Sequence, residues 1–116
     1  MSKIVKQNFD LEERTMKFAK NVRRFIKLLG KSQSNIDDSK QLIRSSGSIA
    51  ANYIEANESL SKKDFLMRIK ICRKEAKESI LWLNLIETDN KNKAKLIAEA
   101  SELMKIFGSI VTKCQV

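Results

Sequence analysis

Residues 42–87 read LIRSSGSIAANYIEANESLSKKDFLMRIKICRKEAKESILWLNLIE, and this stretch decides the fold. In its second half Phe65, Ile69, Cys72, Ala76, Ser79, Leu83 and Ile86 step by 4, 3, 4, 3, 4 and 3, the repeat of a helix with one apolar seam. Ser61 followed by Asp64 is a capping-box-like start, so the spacing predicts a helix over about 61–88. Trp82 and Leu85 lie beside the seam. Before it, Asn57 to Leu60 make a polar corner, and a second helix over about 37–56 takes Ile36, Ile43, Ala50 and Ile54 as its expected inner line. Ser45, Ser46, Gly47 and Ser48 lower helix propensity there, and close approach of another helix is the expected compensation. Asp37 and Asp38 suit the positive end of that helix dipole.

Working outward, Leu11, Phe18, Val22, Phe25 and Leu29 predict a helix over about 10–30. Asp10 is its expected cap, with Glu13 completing a box, and Gly30 its stop. Leu96, Ala100, Leu103, Phe107, Ile110 and Cys114 predict a fourth helix over about 91–114. Proline is absent, and the whole chain of 116 residues reads as one domain. Corners of about four to six residues force antiparallel neighbours, so the fold class is all-α, an up-down-up-down four-helix bundle.

Charge narrows the function classes. The net +9 is uneven: residues 1–33 carry nine basic and three acidic side chains, while residues 34–60 are net −2. Lys3 and Lys6 lead into Asp10, Glu12 and Glu13 with no apolar run of export-signal length, and nothing approaches a bilayer span. Cys72 and Cys114 read as lone buried thiols, and the chain is expected to be cytoplasmic, without membrane contact. There is no histidine, which removes histidine acid–base chemistry and the Glu-x-x-His metal motif of di-iron bundles. No phosphate loop, dinucleotide fingerprint or nucleophile triad occurs, so the expectation is no enzyme, no cofactor and no metal.

The first helix holds the best candidate site. Lys17, Lys20, Arg24, Lys27 and Lys31 step by 3, 4, 3 and 4, with Arg14 and Arg23 nearby. At about 100° per residue this stripe lies roughly 140° from the apolar one, facing outward. Acids are almost missing after Glu13, which favours phosphate contact over an ordinary solvated face, and no aromatic residue offers a stacking platform for base readout. A second basic group, Lys62, Lys63, Arg68, Lys70, Arg73, Lys74 and Lys77, is interrupted by acids and reads as a plain charged face. Arg44, Asn52, Glu55, Glu75 and Glu78 sit close to inner seams. Arg44 is expected to pair with Glu75 or Glu78, and Asn52 and Glu55 to fix the corner or a subunit contact. Tyr53, Trp82, Leu81 and Leu85 exceed what a slim core needs, so they point to an oligomer interface, with monomer core packing the alternative.

The chain resembles the four-helix bundle proteins encoded in intervening sequences of bacterial 23S ribosomal RNA genes. Gln41, Arg44, Ser45, Ser48, Ile49, Ala51, Asn52, Glu55 and Ala56 match one motif, and Ser61, Lys62, Asp64, Phe65, Ile71, Lys74, Glu75, Ala76, Glu78, Ser79, Trp82 and Leu83 match the next. The opening FDLEERTMKFAK is also similar. Gly30 stands where a proline is common and Ala56 where many members have glycine, changes that bear only on corner geometry. The resemblance implies a left-handed bundle, a ring-shaped homopentamer, and a role linked to ribosomal RNA without catalytic residues. Accessory proteins of diversity-generating retroelements, basic pentamers that engage nucleic acid, are more distantly similar. A homo-oligomer binding RNA or DNA nonspecifically is thus expected. The alternative is a module that docks an acidic protein partner.

Overall fold

Ser32 and Ser61 set two of the helix starts, each by accepting a hydrogen bond from a backbone N–H three residues on. Ser32 Oγ takes that of Asn35 at 3.2 Å, and Ser61 Oγ that of Asp64 at 3.1 Å. The structure, a computed structural model, describes the backbone of residues 3–115 and the side chains of residues 11–115. The described residues form four helices: α1 (Lys3–Lys27), α2 (Gln33–Asn57), α3 (Lys62–Leu85) and α4 (Asn92–Gln115).

Two boundaries differ from the sequence expectation for identifiable reasons. Helix α1 already runs through position 10, so it does not start there, and the side chain of Asp10 lies outside the described ones. Helix α2 begins four residues before Asp37, because Ser32 captures the free N–H groups and leaves Asp37 to accept from Gln33 at 3.1 Å. Gly30 is not a left-handed stop, since no described glycine has positive φ. Instead α1 tightens shut through Leu28 N–H to Phe25 and Leu29 N–H to Ile26.

Each helix packs on its two neighbours in the order α1–α2–α3–α4 and back to α1, around one core. The registers run antiparallel: Asn57 donates to Glu12 where α2 ends and α1 is early, and Asn52 accepts from Arg68 where α3 is early. This fits the up-down-up-down order. The body measures 45 × 25 × 20 Å, a short rod. Phe18, Phe25, Tyr53, Phe107, Leu42, Ile49, Ile69, Leu83 and Leu103 fill its centre. No described helix is long and apolar enough to cross a membrane.

Helix α2 corrects the expected inner line. Its buried positions are Asn35, Ser39, Leu42, Ser45, Ser46, Ile49, Tyr53 and Ala56, while Ile36 and Ile54 are exposed and Ile43 and Ala50 half-buried. The true line is polar at four of its positions, and hydropathy passes over it. Three of these side chains bond locally or across the core: Ser45 Oγ meets Ser79 Oγ at 2.8 Å, Ser46 Oγ donates to the Ile43 carbonyl at 3.2 Å, and Asn35 bonds both the N–H and the C=O of Glu87. The Asn35 pair ties the start of α2 to the α3–α4 corner. Lys93 completes that corner by donating to the Ile86 carbonyl at 2.8 Å.

Candidate nucleic-acid interface

Phe18, Val22 and Phe25 bury one side of α1, and this turns Lys17, Lys20, Arg24 and Lys27 outward together. All four are exposed, and none forms an ion pair in the structure described. Arg24 donates only to the neutral Asn21, at 3.2 Å. Lys31 is exposed in the corner beyond the helix, where it lines a groove with Lys27 and with Ile36 and Lys40 of α2, so the helical stripe ends at Lys27. The charge is thus held on a rigid helix with its counterions replaceable.

Two residues of the sequence stripe are placed elsewhere. Arg14 is committed to α4, its Nε and Nη2 reaching both oxygens of Glu99 at 2.7 and 2.8 Å. That hydrogen bonding raises the Arg14 pKa against the opposing effect of burial. Arg23 leans to the α2 side, donating to the Ala19 carbonyl and lying over Gly47. One further cation joins from another element: Lys95, in the first turn of α4, shares a crevice with Asn21, Arg24 and Leu28. Sequence periodicity within α1 carries no sign of it. The antiparallel return of α4 brings it there.

The second candidate group assembles between α2 and α3. Arg44 forks, Nη1 to Glu75 at 2.9 Å and Nη2 to Glu78 at 3.0 Å. Glu75 is 4% exposed, so its charge depends on this partner. Burial opposes the Arg44 cation, but the two carboxylates outweigh it and raise its pKa. Hydrogen bonding with Glu75, and then with Arg44, holds the Glu78 carboxyl below its ordinary value against the effect of burial. Asn52 bonds Ser48 and Arg68, whereas Glu55 stays exposed beside Glu58 and Asp64 at the far corner.

Tyr53 is not surface, contrary to the oligomer reading of that residue. It is 1% exposed and tilted against Phe107 at 6.0 Å between ring centres. Its tyrosine hydroxyl is pushed up to about 12 by burial. Trp82 packs half-buried on the core, with an indole N–H that has no acceptor among the described residues, and Leu81 and Leu85 beside it remain exposed. An aromatic at helical spacing reads alike whether it faces the core or a partner.

A model of the family described as 23S rRNA-intervening sequence protein matches residues 7–111. Among solved structures, the chain is similar to a protein of unknown function from the S23 ribosomal protein family of Bacteroides thetaiotaomicron VPI-5482. The two share 29% identity over 90% of this chain and 97% of the other, with a TM-score of 0.80. No curated protein matches.

Proposed function

The chain belongs to the 23S rRNA-intervening sequence protein family, and from that premise we propose a non-enzymatic, homo-oligomeric bundle, a pentamer, that binds RNA or DNA nonspecifically in the cytoplasm. The observation that carries this reading is the open cationic face of Lys17, Lys20, Arg24 and Lys27, extended by Lys95 and free of ion pairs. Phosphate backbones need only cations held at spacings that follow them, and releasing counterions supplies the free energy. A ribosomal RNA partner follows from the family's name alone.

The test is affinity against salt. For duplex, the slope of log K on log salt falls by about 0.9 for each phosphate contact removed. Replacing Lys17, Lys20, Arg24 and Lys27 by alanine should flatten the slope and weaken binding to all sequences alike. Equal slopes for variant and wild type would end the proposal. Affinity for an acidic protein with none for polynucleotide would replace it with the protein-docking role.

A further inference from the structure

A groove of about 560 Å³ opens where α1 ends and α2 begins, a volume within the range of ligand clefts. Its walls are aliphatic, with Ile26 and Leu29 from the end of α1 and the corner, and Ile36 and Ile43 from α2. Lys27, Lys31 and Lys40 stand around it, all exposed and in no ion pair among the described residues, and no acidic residue joins the lining. Between the walls lies Ser39, 7% exposed, whose hydroxyl has no hydrogen-bond partner among the described residues. Ser45 and Ser46, further along the same helix, turn back to the carbonyls of Leu42 and Ile43. Ser39 makes no such bond. A polar group buried this deeply is ordinarily paired, so its hydroxyl is open to whatever enters the groove. Asn35 beside it is not, because Glu87 takes up both ends of its amide.

A positive rim, apolar walls and one free hydroxyl define what fits. A nucleotide has the matching parts: a phosphate, a planar base with apolar faces, and a polar base edge. Lys27 belongs both to the α1 stripe and to this rim. A strand laid along Lys17, Lys20, Arg24 and Lys27 therefore arrives at the groove with its next phosphates beside Lys31 and Lys40.

We infer that the groove takes one unpaired base of a strand whose phosphates follow the α1 face. This rests on the polyanion reading above and names its substrate class, unpaired strand in preference to duplex. In a duplex the bases are stacked and paired, and bringing one into the groove would cost its unstacking. No aromatic platform is needed, because the aliphatic walls contact purine and pyrimidine faces alike. A single hydroxyl can donate or accept, so it suits the edge of any base. The groove thus senses strandedness without reading sequence.

The test compares oligodeoxythymidine with an abasic strand of equal length, which carries the same phosphates and no bases. By fluorescence anisotropy the base-bearing strand should bind about tenfold more tightly. The double variant Ile36→Gln/Ser39→Ala, which changes no charge, should erase that difference and keep the wild-type salt slope. With isoleucine methyl groups labelled for NMR, Ile26, Ile36 and Ile43 should shift with the base-bearing strand and far less with the abasic strand or a duplex. Equal affinity for the two strands, with salt dependence retained, overturns the groove and leaves the cationic face standing. No affinity for either strand overturns both. A preference for bases that survives the double variant also overturns the groove. Methyl shifts that follow protein concentration alone give the groove to a second copy. Equal shifts with polyglutamate give it to an acidic protein, and either result overturns the nucleotide site. Circular dichroism checks that the variant keeps its helices.

Discussion

Glu75 can be a buried carboxylate only because Arg44 spans the gap from α2 to reach it. Replacing Arg44 with methionine keeps the stem's packing but leaves that charge unpaired, and should cost about 2 kcal/mol at pH 7 in denaturant unfolding. The sign for Glu78 follows from its lowered pKa. A depressed carboxyl adds stability that is fully present above its unfolded value, about 4.3 for glutamate, and that drains away as pH falls through the lower folded value. Unfolding curves between pH 7 and pH 3 should therefore fall less steeply for Glu78→Gln than for wild type. Identical acid limbs would mean the group is not coupled to folding. Cys72 makes a cleaner case. Burial pushes its thiol up to about 12, and its sulfur donates to the Ile49 carbonyl at 3.5 Å. Iodoacetamide at pH 8 should label Cys114 in the native protein and Cys72 only after unfolding, read by mass spectrometry of the peptides.

Helix α2 holds the sharpest conflict between local preference and its surroundings. Gly47 sits inside a helix, where alanine is favoured by roughly 1 kcal/mol. An added Cβ would meet only the Nη2 end of Arg23, at 3.4 Å, and that flexible side chain can move aside. Gly47→Ala should therefore raise the unfolding free energy by about 0.5–1 kcal/mol. Denaturant unfolding of the variant beside wild type measures the gain, and a loss would mean that Arg23 cannot move aside. The helix also shows where sequence pattern reached and where it stopped. The seam of α1 is legible because bulky apolar residues mark nearly every turn, and that of α3 because Phe65, Ile69, Leu83 and Ile86 bracket the small Cys72, Ala76 and Ser79 at the same spacing. In α2 the buried line runs through Asn35, Ser39, Ser45 and Ser46, whose polarity hides their burial, with hydrogen bonds holding Asn35, Ser45 and Ser46 there. The brighter stripe of Ile36, Ile43 and Ile54 drew the inner line to the surface. Both stripes are real, and only packing tells which one faces the core. Of the cationic site, the four lysines and arginines of one α1 face were legible from spacing. The capture of Arg14 by Glu99 and the arrival of Lys95 depend on a helix distant in the chain.

At the scale of the whole molecule, the cations of α1 and the exposed Ile54 of α2 belong to different helices, so a charge-neutral change at Ile54 leaves the cationic face chemically intact. A handful of exposed cations binds a polyanion weakly and loses much of that at physiological salt. Copies fixed in one ring raise the effective concentration of each further face, which can multiply affinity by about 100-fold or more without any new contact. Ile54→Gln changes no charge and lies on α2, not on the helix that carries Lys17, Lys20, Arg24 and Lys27. If the proposed oligomer buries the exposed Ile54, the change should make the protein a monomer by sedimentation and remove any rise of melting temperature with protein concentration. It should also weaken binding to a long single-stranded RNA by about 100-fold, while a short oligonucleotide that reaches one face is bound as before. The alanine variants of the α1 face predict the reverse: an intact assembly with a flattened salt slope on both RNAs. If the Ile54→Gln monomer holds long RNA as tightly as the assembled wild type, a single face suffices and the ring serves some other end.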